Sequence, residues 1–383
     1  MAQTLSPPPP APAPTANTAL FDLLARSWTL EAPVSSIVMD RAGKTAAFVL
    51  ADGRVALAPL DEEESSISRL HIEGDTGRSA IRPRKNPPAR PTLTPPLCEG
   101  APFLVPSAGL GFIAGTPAGE ILRVTPRGQT IPLAKGGEPL TALASDGRGR
   151  LGLAHEGSVR LVEEEGLAKL RSLLTPGAAR ALAFAPGPAG DGSRLAIQLE
   201  GRLLLWSPDG EVEDLPLGGV GPLAFSPGGA WLAGADEAEG FWLRRMADGA
   251  SGRLGPFRAR PAALTFTARD REVFASGAFR AAGWSLETPP LEDPGLGALR
   301  SGRASLVLVE RVAAHPKLHL LACGAADGTV TLTRPGQADE LTLRLGEGEA
   351  VGALAWSPCG LHLAIGAGAG FAALATLPPQ MFK

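Results

Sequence analysis

Tyrosine is absent from this 383-residue chain, which excludes catalysis by a phenol. Lysine is scarce, six among 36 basic residues, and asparagine occurs only at Asn17 and Asn86, a bias that reflects codon usage more than a ligand. The three cysteines, Cys98, Cys323 and Cys359, stand isolated, with no CxxC pair and no histidine at metal-site spacing. They read as reduced thiols of a cytoplasmic protein. No apolar run approaches the roughly 18 residues of a membrane helix. The start of the chain has neither the basic nor the apolar region of an export signal, so no membrane insertion is expected.

Catalytic signatures are missing as well. The chain has no GxSxG elbow, no GxxxxGK[ST] phosphate loop, no GxGxxG opening a helix and no HExxH. Neither a cofactor nor a metal is expected. His315 and His319 would share a metal on a helix, but they flank Pro316 between two apolar strands, where turn chemistry is the better reading. Net charge is −3, and the basic stretch Arg78 to Arg90 has no interleaved aromatic, so no nucleic-acid partner is expected.

What is abundant is turn material: 48 glycines and 37 prolines, beside a 44% hydrophobic content large enough for a core. Residues 1–18 form a Pro/Ala-rich tail that reads as disordered. Beyond it, helical periodicity is lacking and short apolar strands are punctuated by Gly, Pro and Asp, which predicts an all-β protein. The strands repeat. Val34-SSIVMDRAG, Val220-GPLAFSPGG and Val351-GALAWSPCG are three of eight copies of a strand running into a turn, each followed by a strand, a tight turn and a strand. Seven copies place a glycine at the entry to the third strand: Gly53, Gly119, Gly157, Gly201, Gly240, Gly328 and Gly370. The sixth copy departs, with Phe279 and Arg280 there. From Gly119 to Gly370 the unit averages about 42 residues, the length of a four-stranded propeller blade.

In LAFSPGGAWLAGADEAEGFWL, LAWSPCGLHLAIGAGAGFAAL and VAAHPKLHLLACGAADGTVTL the chain resembles the WD40-repeat β-propeller family, although the Gly-His signature is missing and Trp-Asp is reduced to Trp206-Ser207 and Trp284-Ser285. The resemblance implies a single propeller over residues 19–379, with eight blades expected and seven as the alternative should the second copy pack differently. Arg26-SWTLEAP, with Trp28, Leu30 and Ala32 alternating, is expected to complete the last blade as its outer strand. The strand tryptophans Trp206, Trp231, Trp242, Trp284 and Trp356 are expected in the core between blades, and Glu163-EEG in a solvated turn.

One interval breaks the period. Gly53 to Gly119 spans 66 residues, and the excess is read as an inter-blade insert, residues 73–100, between the first blade's last strand and the second blade's first. It carries Arg78, Arg82, Arg84, Lys85 and Arg90 among prolines, as a docking arm would. In the resembling family that connection emerges on the top face. The same face is expected to receive the turns between second and third strands, which are acidic: Asp52, Glu156, Glu200, Asp236, Glu237, Glu239 and Asp327. Such a face would take a basic partner, or the chain's own insert would fold over it as a lid. The function so read is a non-enzymatic scaffold or complex subunit, a monomeric propeller with protein partners. The alternative is an enzyme or small-ligand sensor with its site in the axial channel, which calls for at least three converging carboxylates.

Overall fold

A computed structural model describes residues 20–72, 79–187 and 194–382; the 1–18 tail lies outside the described residues. Eight four-stranded antiparallel sheets follow one another along the chain: residues 34–93, 103–134, 140–174, 181–215, 223–254, 264–301, 309–344 and 351–376. We number them blades 1 to 8. Their innermost strands neighbour one another in cyclic order, blade 8 against blade 1 included, so the sheets close a ring. The second copy packs as a regular blade 2, and the ring has eight blades.

Burial across a blade follows from this arrangement. The second and third strands are covered on both faces by neighbouring blades and read as continuous apolar runs: all six residues of Thr45–Leu50 and of His362–Ala367 are buried. Outer strands meet solvent, and Lys169–Leu174 is exposed almost throughout. The core is therefore divided into eight clusters, one at each blade interface, and the five strand tryptophans lie in them at 0 to 9% exposure. In the innermost strands of blades 1, 3, 7 and 8 the register slips after Val34, Leu140, Val309 and Val351, a bulge that recurs with the repeat.

The last blade borrows its outer strand from the other end of the chain. Ala25–Thr29 pairs antiparallel with Phe371–Thr376, Trp28 opposite Ala372. This removes the edge that blade 8 would otherwise expose.

The first turn of each blade needs a side-chain acceptor for free backbone amides, and several residue types supply it. Asp40, Ser226, His315 and Ser357 each accept amide hydrogens at 2.7 to 3.1 Å. His315 accepts from Lys317 and Leu318 through Nδ1 and donates Nε2–H to the Gly360 carbonyl, which is the turn role read from its Pro316 neighbour. Glu164 corrects the solvated-turn expectation for the Glu163 run: it is buried and accepts from Ser107 Oγ and, at 2.8 Å, from Ala108 N–H, tying blade 3 to blade 2.

The insert corrects a second expectation. The fourth strand of blade 1 is Thr92–Leu93, so the insertion runs over residues 60–91, between the third and fourth strands of one blade rather than between two blades. Third-to-fourth turns leave a blade at the end opposite its second-to-third turns. The arm and the acidic turns therefore lie on opposite faces, which overturns the lid. Along that rim the insertion clasps the closing blade. Ser66 Oγ donates to Thr376 O at 2.6 Å, Trp28 Nε1–H to Ala89 O at 2.9 Å, and buried Arg26 to Leu60 O at 3.2 Å.

Candidate functional site

The face built from the second-to-third turns and the inter-blade links gathers the acidic turn residues, which are spread unevenly around the ring: three fall in blade 5 and none in the turns of blades 6 and 8. Positive φ at Gly53, +89°, lets the blade 1 turn reverse within a few residues and present Asp52. In blade 5 Glu239 takes the positive φ instead, and Gly240 is required by close approach, since a Cβ there would lie 2.2 Å from Leu254 O.

Most of these carboxylates are already engaged. Asp52 accepts Arg54 Nε–H at 2.7 Å, which holds its carboxyl below the usual value, and Arg54 also pairs with Glu31 at 2.9 Å. Buried Asp236 is ion-paired with Arg253 and accepts Glu237 N–H at 2.9 Å. Asp327 accepts Thr329 N–H at 2.9 Å, and Glu200 lies 3.7 Å from Arg180. Glu156 and Glu237 are exposed at their turn tips. The face is thus a mosaic of carboxylates and arginines, not the uniformly negative surface that the turn residues suggest by themselves.

On the opposite rim, Arg84 makes a two-pronged pair with Glu62, both contacts 2.7 Å, and Glu64 accepts Lys85 N–H at 2.9 Å. Arg82, Lys85 and Arg90 expose their side chains, while Arg78 lies outside the described residues. These contacts pair the acidic half of the arm with its basic half, and Arg82, Lys85 and Arg90 face solvent.

One sector escaped the sequence reading. At blade 6 the link residues Arg258, Arg260 and Arg303 flank the aberrant Phe279-Arg280 turn, with Phe279 39% and Leu306 96% exposed. The signal was the sixth copy's departure from the glycine rule; the link arginines sit in unpatterned segments, and only the ring brings Arg303 to one cleft with Arg280. The axial channel is lined by the innermost strands, and these carry a single carboxylate, Glu310. Among the described residues, no group of three His, Cys, Asp or Glu is placed to hold a metal, and no helix is long and apolar enough to cross a membrane.

No family model and no curated protein matches the chain by sequence. Solved structures do match by shape. The computationally designed Ika8 protein aligns with a TM-score of 0.64 at 15% identity, over 93% of this chain and 99% of its own. The C-terminal WD40 domain of Sif2 aligns at 0.61 and 13%, over 92% and 99%, and the Dos1 propeller at 0.60 and 13%, over 92% and 94%. At such identity the likeness speaks for the fold, and the fold is that of an eight-bladed WD40-type β-propeller.

Proposed function

We propose that this chain is a non-enzymatic platform for protein–protein contact, a subunit of a larger complex, that works through the face of its second-to-third turns. The observation that carries this is a closed ring that gathers the second-to-third turns of all eight blades on one face, above innermost strands with one carboxylate, Glu310, and one cation, Arg311. Arg311 donates to the Gly352 carbonyl at 2.6 Å and so serves the blade 7 to blade 8 contact. That channel lacks the convergent carboxylates that an axial enzyme would need. Likeness to WD40 propellers supports the reading by analogy of fold. The three unpaired thiols suit a reducing compartment inside the cell. Arg82, Lys85 and Arg90 form a second, independent contact region on the opposite rim.

Affinity purification from the native cell with mass spectrometry tests this. Stoichiometric partners are expected with the wild-type chain, and their loss with Glu156→Lys/Glu200→Lys/Glu237→Lys on one face or with Arg82→Glu/Lys85→Glu/Arg90→Glu on the other. A wild-type chain that captures no stoichiometric protein would overturn the platform.

A further inference from the structure

We propose that the cleft between blades 6 and 7 binds an acidic peptide segment of a partner protein, one carboxylate entering between Arg280 and Arg303 and an apolar neighbour resting on Phe279. This rests on the platform reading and says which part of the face does the binding. The cleft holds about 150 Å³ and opens on the face of the second-to-third turns. Arg280, Arg303 and Phe279 stand in its wall, with the hydroxyls of Ser301, Thr331 and Thr333 deeper in.

The pairing pattern singles the place out. Elsewhere on this face the arginines are neutralised: Arg54 by Asp52 and Glu31, Arg160 by Glu138, Arg180 by Glu200, Arg253 by Asp236 and Arg344 by Glu347. Among the described residues, Arg258, Arg280 and Arg303 have no carboxylate within 4.0 Å of their guanidinium nitrogens. Two carboxylates do reach the cleft, and both are occupied by backbone amides: Asp327 by Thr329 N–H at 2.9 Å and Glu340 by Arg303 N–H at 3.0 Å. Arg260 points instead to blade 5, where it donates to the Glu237 carbonyl at 3.5 Å.

Two guanidinium groups in the wall of a hydroxyl-lined notch, beside an exposed phenyl ring, match a segment in which acidic residues flank an apolar one. Each unpaired guanidinium offers a planar fork of donors to a carboxylate. The sixth copy departs from the repeat here: a glycine at the position of Phe279, where the other copies have one, would have removed the ring. A basic segment, which the acidic turns alone would call for, meets like charge here.

The test uses the full chain and a short fluorescein-labelled peptide of glutamates around a central leucine, followed by anisotropy, with a glutamine-for-glutamate peptide as control. Binding is expected to be weakened about tenfold or more by Arg280→Glu/Arg303→Glu, to fall with added salt, and to be unchanged by Arg82→Glu/Lys85→Glu on the opposite rim. Arg280→Gln/Arg303→Gln, which removes the charge without reversing it, is expected to give an intermediate loss should the reversal disturb folding. Equal affinity for the two peptides, unchanged affinity in both double variants, or no binding of the glutamate peptide would each overturn the assignment. In the native-cell purification, partners retained by Arg280→Glu/Arg303→Glu would sink the cleft and leave the platform standing. A wild-type chain without partners would sink the platform, and the peptide titration would still decide the cleft.

Discussion

Truncating Trp28 tests whether the strand from the chain start holds the ring shut. Its indole is 9% exposed, lies edge-on to Phe48 of blade 1 with ring centroids 6.4 Å apart, and has the Arg26 guanidinium 5.6 Å from its ring. Nε1–H donates to Ala89 O of the insertion at 2.9 Å. One side chain thus touches the closing blade, the first blade and the clasp. An indole buries on the order of 200 Å², and at about 25 cal/mol/Å² this amounts to about 5 kcal/mol as an upper bound. Losses on truncating buried Phe or Trp to Ala run at about 3–5 kcal/mol. We therefore expect Trp28→Ala to destabilise the fold by about 4 kcal/mol, and Trp28→Phe, which keeps the ring and loses the hydrogen bond, by about 1 kcal/mol. Leu306→Ala, at a side chain 96% exposed, is the control and should stay within about 0.5 kcal/mol. Urea unfolding followed by far-UV circular dichroism reads the difference as a midpoint shift of roughly 1 M for Trp28→Ala. Limited proteolysis should show faster cutting between the closing strand and Val34, because a freed outer strand opens locally. If Trp28→Ala shifted the midpoint no more than Leu306→Ala, the closing strand would not be what locks blade 8 to blade 1.

Three further outcomes are expected. Gly53→Ala should be far costlier than Gly136→Ala: both have positive φ, +89° and +66°, but an added methyl at Gly53 would lie 1.9 Å from Cys98 O and one at Gly136 would meet nothing within 4 Å. Conformational cost alone is about 1–2 kcal/mol, the clash adds about 1–3 kcal/mol at Gly53, and thermal melts of the two variants would separate them. Acid should destabilise the fold through His362 and His315, whose pKa values burial lowers, His362 further by the nearby Arg26 charge. The unfolded chain takes up these protons near pH 6.5 and the folded chain only at lower pH. Stability is then full above about pH 6.5 and falls as the pH drops below it, so a melting-temperature profile that is flat across that window, or that His362→Gln leaves unaltered, contradicts the assignment. Asp248, held at about 2 by Arg245, titrates far below that range. Titration with an aromatic disulfide should find Cys359 fast, half-buried Cys98 slower, and Cys323, whose thiol burial pushes up to about 12, unreactive until denaturant is added. Fast reaction of all three thiols in the native state would be incompatible with the ring as described.

Much of the architecture was legible because it is written in local, repeating signals. A positive-φ glycine before the third strand, an apolar run buried on both faces and a side-chain acceptor in the first turn each follow from a few consecutive residues, and their recurrence sets the blade number. Closure was legible too, since Trp28, Leu30 and Ala32 alternate ahead of the first copy while the last copy ends after three strands. Legibility failed where a residue's role depends on what the ring sets beside it. Glu164 reads as one of three consecutive turn glutamates, and only the neighbouring blade 2 turn, with Ser107 and Ala108, makes it a buried tie. The two-residue strand Thr92–Leu93 is too short to carry a pattern, so the insertion was assigned to the wrong connection and the wrong face.

By itself, then, the sequence determined an all-β ring of eight blades, its closure by the chain start and the burial of its tryptophans, because these depend on period and on apolar strands that have one way to be covered. Charge pairing was decided by the tertiary structure alone. Asp236 and Arg253 are 17 residues apart and Arg54 and Glu31 are 23, distances at which chain order says nothing of contact. Only the ring shows that Asp52, Glu200 and Asp236 are already paired with arginines and that Arg280 and Arg303, from two separate segments, line one cleft unpaired, because electrostatic complementarity belongs to a surface and not to a repeat.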